Sequence, residues 1–543
     1  MSIYGSVINY HDDSHQIIYG MRVASRGFLH ALLRYGEFDE YHFFLNDQKL
    51  HEFCDTYQTF LDTLDHPVKM KAFRIRELPG CLSRLEYDVF HASDPYIANL
   101  CYLRRCYSNI LFPVTGVTHS LSMEPAMDNF QNIMVSPHLP CDSIICTSQS
   151  GKKAMEHIFS QVMLRANAGD TKGGNFSYWG RLDVIPLGVE PQDFLTIDKK
   201  SARDALNLPI NRRLIVCPGR ISVLTKMDLY PVLLALKEII TQEEFKDTAL
   251  LIAGSTHADN TYLHAIVSQA RNMGISDHLF FNFNFSSEQK YQIYAAADIV
   301  LSAADNVQET FGIVPVEAMM AQRPVVLSYW SGYRDLVEDG VSGYLIPTYW
   351  AECDNSISPI AFYQTSEALF SISQSVAVDV GVMIDRLKRL LASQELRHSM
   401  GEHARSRALS LFSWSHVIRQ YRELWRELKL HAETIPWNRS SVSHGFLGYF
   451  NVFGHYASHI ISETDFVVIT ERGKMVAEAI EDPFVYKMHD GKLDTYLVFQ
   501  LLADAQCTQQ VGVLMKKTAT TQDKFMVTLL WLIKNNLLAV NPH

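Results

Sequence analysis

Apolar β-type runs alternate with helix-patterned stretches along this chain, and the series occurs twice. The first series has strand-like runs at residues 2–10, 41–45, 68–75, 88–91, 110–118, 143–147 and 183–187, with helical spacing over 21–35. The second begins near residue 212, with runs at 214–217, 249–253, 279–283, 299–302, 325–328 and 344–346 and helical spacing over 229–240 and 262–273. Several runs are unbroken apolar strings. A half-solvated antiparallel sheet would alternate; an unbroken string suits a parallel sheet covered on both faces. The alternation of β and α therefore predicts two doubly wound, Rossmann-like α/β domains, over 1–205 and 206–428. Ligands of such sheets sit at the carboxyl ends of strands. Two facing domains would enclose a deep cleft, able to hold two substrates away from water.

The rest of the chain reads differently. Residues 395–428 are strongly helical and amphipathic, carrying Trp414 and Trp425. Residues 429–444, with Pro436 and several serines, read as a linker. Residues 445–543 then form a small, mostly helical, winged-helix-like domain, with a strand-like run at 466–470 and helical runs at 495–505, 509–517 and 524–538. From Trp437 onward there are 9 basic and 10 acidic residues, a poor balance for gripping DNA. This tail is expected to contact a protein partner or a second copy of the chain. Residues 167–177, with Gly169, Gly173 and Gly174, read as a loop. Overall, 48 Lys+Arg against 59 Asp+Glu give a net charge of −11, which argues against nucleic acid as the main partner. Hydrophobic residues at 47% and charged residues at 20% exclude a disordered, collagenous or coiled-coil chain. The 9 cysteines are scattered and lack the close pairs of a zinc ribbon, so they are expected to be reduced, mostly buried thiols. No export-signal pattern opens the chain, and no run reaches the ~20 apolar residues that span a bilayer. The expected location is cytoplasmic, with at most peripheral contact at the inner membrane surface.

Three clusters carry chemistry. The first runs from Gln308 to Met320 and holds Glu309 and Glu317 with seven residues between them. Pro315 marks a helix start, which would put Glu317 in the first turn and Glu309 in the preceding loop. The amides of Gly312, Ile313 and Val314 would then be free, at the positive end of the helix dipole, to hold an anion. The two carboxylates could accept sugar hydroxyls on either side of it. The alternative is a Glu317 that only complements the dipole, beside a solvated Glu309. The second cluster is Pro218-Gly219-Arg220 with Lys226, directly after a strand, where two cations suit a diphosphate; they could equally be surface charges. The third is His119, at the end of the apolar run 110–118, facing the expected cleft or else simply packed.

Taken in order, these motifs resemble glycosyltransferase family 4, retaining enzymes of the GT-B fold, over about residues 1–428. Glu309-x7-Glu317 with Phe311-Gly312 matches the family's signature loop, and Gly219-Arg220 with Lys226 its phosphate-binding pair. Val184-Ile185-Pro186-Leu187-Gly188-Val189-Glu190 with Phe194 matches its interdomain segment. Ala295-Ala296-Ala297-Asp298 and the run 338–347 match as well.

The resemblance implies a metal-independent transferase with no cofactor. It would move a sugar from a nucleotide-diphosphate sugar to a hydroxyl of a glycan, lipid or related acceptor. Arg220 and Lys226 would neutralise the leaving diphosphate, Glu317 would take the donor ribose, and Glu309 would face the transferred sugar. His119 would sit near that sugar and the attacking hydroxyl. Phe311 and the amides of Gly312, Ile313 and Val314 would complete the donor site. The chain departs from the pattern at Tyr19-Gly20-Met21, where one glycine, Gly20, stands for the usual pair. It departs again at 330–335, where Trp330-Ser331-Gly332-Tyr333-Arg334-Asp335 replaces another glycine pair. These changes leave donor and acceptor open. The polar run 9–15 reads first as a solvated loop, with acceptor contact and then a metal site as the alternatives. Two other readings fit the same residues: a GT-B epimerase or phosphorylase, and a scaffold with a vestigial donor cleft.

Overall fold

The computed structural model describes residues 1–8, 20–122, 126–167, 177–194, 197–257, 260–353, 365–439, 450, 452, 454–479 and 493–541. The polar run 9–15 and most of the loop 167–177 lie outside them. Residues 1–445 form one compact unit and 446–543 another.

The larger unit contains the two expected parallel sheets. In the first lobe, β1 (Ile3–Val7), β2 (Glu40–Leu45), β3 (Met70–Arg74), β4 (Val89–Ala92), β5 (Val114–Val117), β6 (Ser143–Cys146) and β7 (Arg181–Val184) lie in the order β3-β2-β1-β4-β5-β6-β7. All neighbours are parallel. In the second, β8 (Arg213–Pro218), β9 (Thr248–Gly254), β10 (Leu279–Phe283), β11 (Ile299–Ser302), β12 (Val325–Ser328) and β13 (Tyr344–Ile346) follow the order β10-β9-β8-β11-β12-β13, again parallel. The central strands β4, β5, β6, β11 and β12 are buried along their whole length, which is why they read as unbroken apolar strings. The strand expected over 110–118 begins only at Val114, after Pro113, which cannot donate to a ladder. Strand order reverses between β1 and β4 and between β8 and β11, so each lobe has its own ligand-binding switch point.

The helical stretch expected over 395–428 is two helices, Gln394–Phe412 and Trp414–Thr434. Ser413 between them is extended, and the chain here pairs with the interdomain segment: Val189 N–H donates to Phe412 O at 2.8 Å, and Trp414 N–H to Val189 O at 3.3 Å. Helix Gln394–Phe412 packs in the second lobe through Met400, Ala404 and Phe412. Helix Trp414–Thr434 buries Val417, Tyr421 and Trp425 in the first lobe's core, against Tyr4, Leu32 and Phe43. Helix Trp414–Thr434 thus packs with the first lobe although it follows the second in sequence. The amphipathic stripe runs through both helices, and only the tertiary pairing with Val189 divides them.

Over its described residues the smaller unit combines helices with a small sheet. Phe466–Ile469 is the centre of a three-stranded antiparallel sheet, flanked by Gln509–Gln510 and Leu538–Asn541. The helix expected to reach 538 stops at Lys534, because Asn536 turns left-handed at φ 55° and redirects the chain into the last strand. Helices Glu471–Ala477, Thr495–Asp504, Val511–Lys517 and Gln522–Lys534 complete it. Among the described residues no helix is long and apolar enough to cross a membrane. All nine cysteines are free.

The lobe crossing is tightly packed at one point. A Cβ on Gly188 would lie 2.4 Å from the Trp414 indole. Gly188→Ala is expected to destabilise the chain by about 1–3 kcal/mol through overpacking, read as a lowered urea midpoint. An unchanged midpoint would contradict this packing.

Candidate active site

At the second lobe's switch point, β8 ends at Pro218 and the chain turns through Gly219 (φ 142°) and Arg220. Lys226 folds back into the space below. Its Nζ donates to Glu309 Oε2 at 2.6 Å and to the Tyr333 hydroxyl at 3.0 Å. The Tyr333 hydroxyl lies 2.7 Å from Oγ of Ser302, the last residue of β11. Glu309 Oε1 accepts from Phe311 N–H at 3.3 Å. Strands β8 and β11 thus meet in one network of Lys226, Glu309, Tyr333 and Ser302.

The electrostatics follow from this geometry. Burial alone would raise the Glu309 carboxyl, but the Lys226 ammonium, the Phe311 N–H and the Arg220 charge together hold it below its usual range. Burial would lower Lys226, yet Glu309 and Tyr333 hold it above its ordinary value. Burial pushes Tyr333 up to about 12, so its hydroxyl remains protonated. Glu309 is therefore an anion clamped by a cation, and not a solvated surface group.

The helix Ile313–Met320 starts directly after Glu309's loop. Gly312 sits at φ 108°, and a Cβ there would lie 2.4 Å from the Tyr333 ring, so only glycine fits. No side chain caps this helix. Its first amides have no partner within the helix and lie at the positive end of the dipole. Ile313 and Val314 are half-buried, leaving this end open to an anion.

Glu317 differs from expectation. Pro315 is the third helical residue, so Glu317 falls in the second turn and no acid occupies the first. It does not serve the helix dipole. Its carboxylate accepts from Lys290 Nζ at 2.8 Å and from the Tyr294 hydroxyl at 2.8 Å, and it is 6% exposed. Each glutamate of the pair is thus held by its own lysine. Phe311 also differs: its ring is buried and meets Phe412 edge-on at 5.9 Å, so the side chain serves the core and the backbone N–H serves Glu309.

His119 follows β5 in the first lobe. Its Nε2 lies 3.0 Å from Ser93 O, a carbonyl that can only accept. That hydrogen bond assigns the proton to Nε2 and leaves Nδ1 as an acceptor. Burial pushes His119 down to about 4, against the opposing pull of Ser93 O. The Glu309 loop is fastened to this lobe: Thr310 Oγ1 donates to His119 O at 2.8 Å, and Ser148 Oγ donates to Thr310 O at 2.6 Å. Gly20 is the first residue of the helix Gly20–Tyr35.

Four contributors escaped the sequence reading: Tyr333, Lys290, Tyr294 and Thr310. Lys290 and Tyr294 stand four apart on one helix and so share a face, the one signal that could have paired them with an acid. Tyr333 lies in the run 330–335, where it takes the space beside Gly312. Asp298 of the Ala-Ala-Ala-Asp motif is structural. It accepts from Arg203 at 2.7 Å, Lys199 at 2.5 Å and Leu214 N–H at 2.7 Å, fastening the start of β8.

Two facing Rossmann-like lobes, with the chain crossing back at Ser413, define a GT-B fold. Solved structures show the same architecture. Sucrose-phosphate synthase from Thermosynechococcus elongatus superposes with a TM-score of 0.51 at 16% identity, covering 79% of this chain and 100% of that one. Anabaena HepE in complex with UDP gives 0.53 at 16% identity, again over 79% and 100%. Residues 198–358 match the family model for glycosyl transferases group 1. Curated relatives include a D-inositol 3-phosphate glycosyltransferase of Mycolicibacterium smegmatis, 30% identical over 40% of this chain and 50% of its own length. A D-inositol 3-phosphate glycosyltransferase 2 of Catenulispora acidiphila is 32% identical over 31% and 39%. The chain thus spans half or less of the length of these relatives.

Two outcomes are expected. Lys226→Met removes the ammonium that answers the part-buried Glu309, leaving it Arg220 and the Phe311 N–H, and should destabilise by about 1–3 kcal/mol, while Lys226→Met with Glu309→Gln should recover most of that loss. Denaturant midpoints check this, and equal midpoints for single and double variants would contradict it. For His119, the folded group is held below the unfolded value of about 6.5. The unfolded chain therefore binds a proton that the native chain refuses, and stability falls as pH drops from about 6.5 towards about 4. At pH 5 this contributes up to about 2 kcal/mol of loss. His119→Asn should flatten that part of the pH dependence of unfolding; an identical slope would contradict the assignment.

Proposed function

We propose that the chain transfers a sugar from a nucleotide-diphosphate sugar to a hydroxyl acceptor, with retention of anomeric configuration and without a metal ion. The observation that carries this is the part-buried Lys226–Glu309 pair at the β8/β11 switch point, beside Arg220 and the open start of the helix Ile313–Met320. Cations and free amides together suit a diphosphate. The matched family model and the relatives named D-inositol 3-phosphate glycosyltransferase support the reaction class. The complexes of Anabaena HepE with UDP and with UDP-glucose support the donor class.

In this reading Arg220, Lys226 and the helix amides hold the diphosphate. Their fixed positive charge stabilises the leaving group as the bond to the sugar breaks, the work a metal would otherwise do. Glu309, kept ionised by Lys226, accepts hydroxyls of the transferred sugar. Glu317 retains lone pairs beyond those taken by Lys290 and Tyr294, and these accept the ribose hydroxyls. His119 Nδ1 accepts a hydrogen bond from a hydroxyl near the reacting carbon. The acceptor oxygen attacks from the face the diphosphate leaves, and a phosphate oxygen takes its proton, so configuration is retained.

The test is release of nucleoside diphosphate from labelled UDP-, GDP- and ADP-sugars, with and without added hydroxyl acceptors. Arg220→Ala and Glu309→Gln should each lower turnover by ten- to a hundredfold or more, from the loss of about 1.5–3 kcal/mol of charge-assisted contact. Near-normal turnover in both variants would overturn the site. Epimer formation without acceptor would replace transfer by epimerisation.

A further inference from the structure

The loop after β8 carries Arg220 and Lys226, and the loop after β11 carries Glu309. One dipeptide of the second loop, Asp305-Asn306, ties the two together. Asn306 Nδ2 donates to Leu224 O. Asp305 Oδ2 accepts from Asp228 N–H at 3.2 Å. Lys226 lies between those two tethers, so its reach to Glu309 depends on both. The same dipeptide shapes the second loop. Asn306 Oδ1 accepts from Gln308 N–H at 2.9 Å, and Asn306 O accepts from Glu309 N–H at 3.2 Å and from the Trp330 indole N–H at 3.0 Å.

Asp305 is 2% exposed, yet it is held unlike the other acids of this lobe. Asp298 has Lys199 and Arg203, Glu309 has Lys226, and Glu317 has Lys290. Asp305 has another acid beside it, and its Oδ1 has no hydrogen-bond partner among the described residues. The titratable groups that face it are Asp228, in the loop after β8, and Tyr262, on the helix Thr261–Asn272. The Tyr262 hydroxyl accepts from Leu229 N–H at 2.6 Å and donates to Asp228 Oδ1 at 3.2 Å, and burial raises it far enough to keep it neutral. Asp228 has further donors in Tyr230 N–H at 2.9 Å and Gln374 Nε2 at 3.4 Å. Hydrogen bonds to a carboxylate favour its charged form, so of the two acids Asp305 is the one that keeps a proton. Burial, joined by the Asp228 charge, pushes Asp305 up to about 7 against the pull of the Asp228 N–H.

We propose that Asp305 is a positioning residue for Lys226: with its proton it latches the two loops together, and without it repulsion from Asp228 loosens the loop that carries Lys226. Losing the proton puts like charges at a buried contact, where water screens them little. Asp228 is then driven from Asp305 while Asn306 still holds Leu224. Lys226, between them, loses its fixed placement against Glu309, and the charge prepared for a diphosphate goes with it. His119, pushed down to about 4, is already neutral where Asp305 titrates and adds nothing to the change. That the affected ligand is a diphosphate rests on the proposed transfer reaction; the latch itself does not.

The test uses the full chain from about pH 6 to about pH 8.5, with Asp305→Asn and Asp228→Asn beside the native sequence. Asp305→Asn keeps an oxygen for the Asp228 N–H and cannot ionise. Asp228→Asn keeps an oxygen for Tyr230 N–H and Tyr262 and removes the repelling charge. Hydrogen exchange, corrected for the intrinsic pH dependence of amides, reads residues 221–229. UDP-glucose, GDP-mannose and ADP-glucose are titrated over the same range, because a diphosphate esterified at both ends keeps its charge throughout it. In the native chain, protection of 221–229 should fall about fivefold or more with a midpoint near pH 7, and at least one nucleotide sugar should lose affinity about fivefold or more alongside it. Asp305→Asn should hold both level, and Asp228→Asn should shrink both changes. Level protection in the native chain, or an equal fall in Asp305→Asn, overturns the latch. Protection that falls while a bound nucleotide sugar keeps its affinity overturns the positioning role. If no nucleotide sugar binds at any pH, the donor reading fails, and the protection measurement still decides the latch.

Discussion

The ion pair between Lys226 and Glu309 governs how the second lobe's switch point is built. A charge can stay buried only if another charge and good hydrogen bonds answer it. Lys226 answers Glu309, and Tyr333, itself held by Ser302, answers Lys226. Gly312 follows from the same constraint, because the Tyr333 ring occupies the space a Cβ would need. The open end of the helix Ile313–Met320 is then set close to the clamped carboxylate. A site with charge fixed in advance needs little rearrangement when new charge develops.

The two lobes are bound to one another through this same loop. Thr310 and Ser148 fasten the segment after Glu309 to the first lobe, and Gln149 N–H donates to Asp335 at 2.7 Å. At the far side the chain crosses at Val189 and returns at Ser413, and helix Trp414–Thr434 completes the first lobe's core. His119 belongs to the first lobe and Glu309 to the second, yet Thr310 joins their backbones.

Much of this was legible before any coordinates. Unbroken apolar strings such as Leu-Ile-Val-Cys in β8 and Ile-Val-Leu-Ser in β11 indicate a doubly buried parallel sheet, and their order places Arg220 and Glu309 at carboxyl ends. What escaped depends on distance in three dimensions. Lys290 and Glu317 are 27 residues apart and Lys226 and Tyr333 are 107 apart, so no local spacing joins them. The break at Ser413 also leaves no composition signal, because the same apolar stripe runs on both sides. Pro315 misled by its ordinary preference for the first helical position. Here Gly312 sets the start, which moves Glu317 two residues further in, to the second turn, where it meets Lys290.

The central claim is that Arg220, Lys226 and the amides at 313–314 are built for a diphosphate. Isothermal titration of the chain with nucleoside monophosphates against the matching diphosphates tests it most directly. The account predicts that for at least one base the diphosphate binds ten times or more tighter than the monophosphate, and that the difference shrinks in Arg220→Ala. Equal affinities for the two across uridine, guanosine and adenosine, or no binding of any, would contradict it.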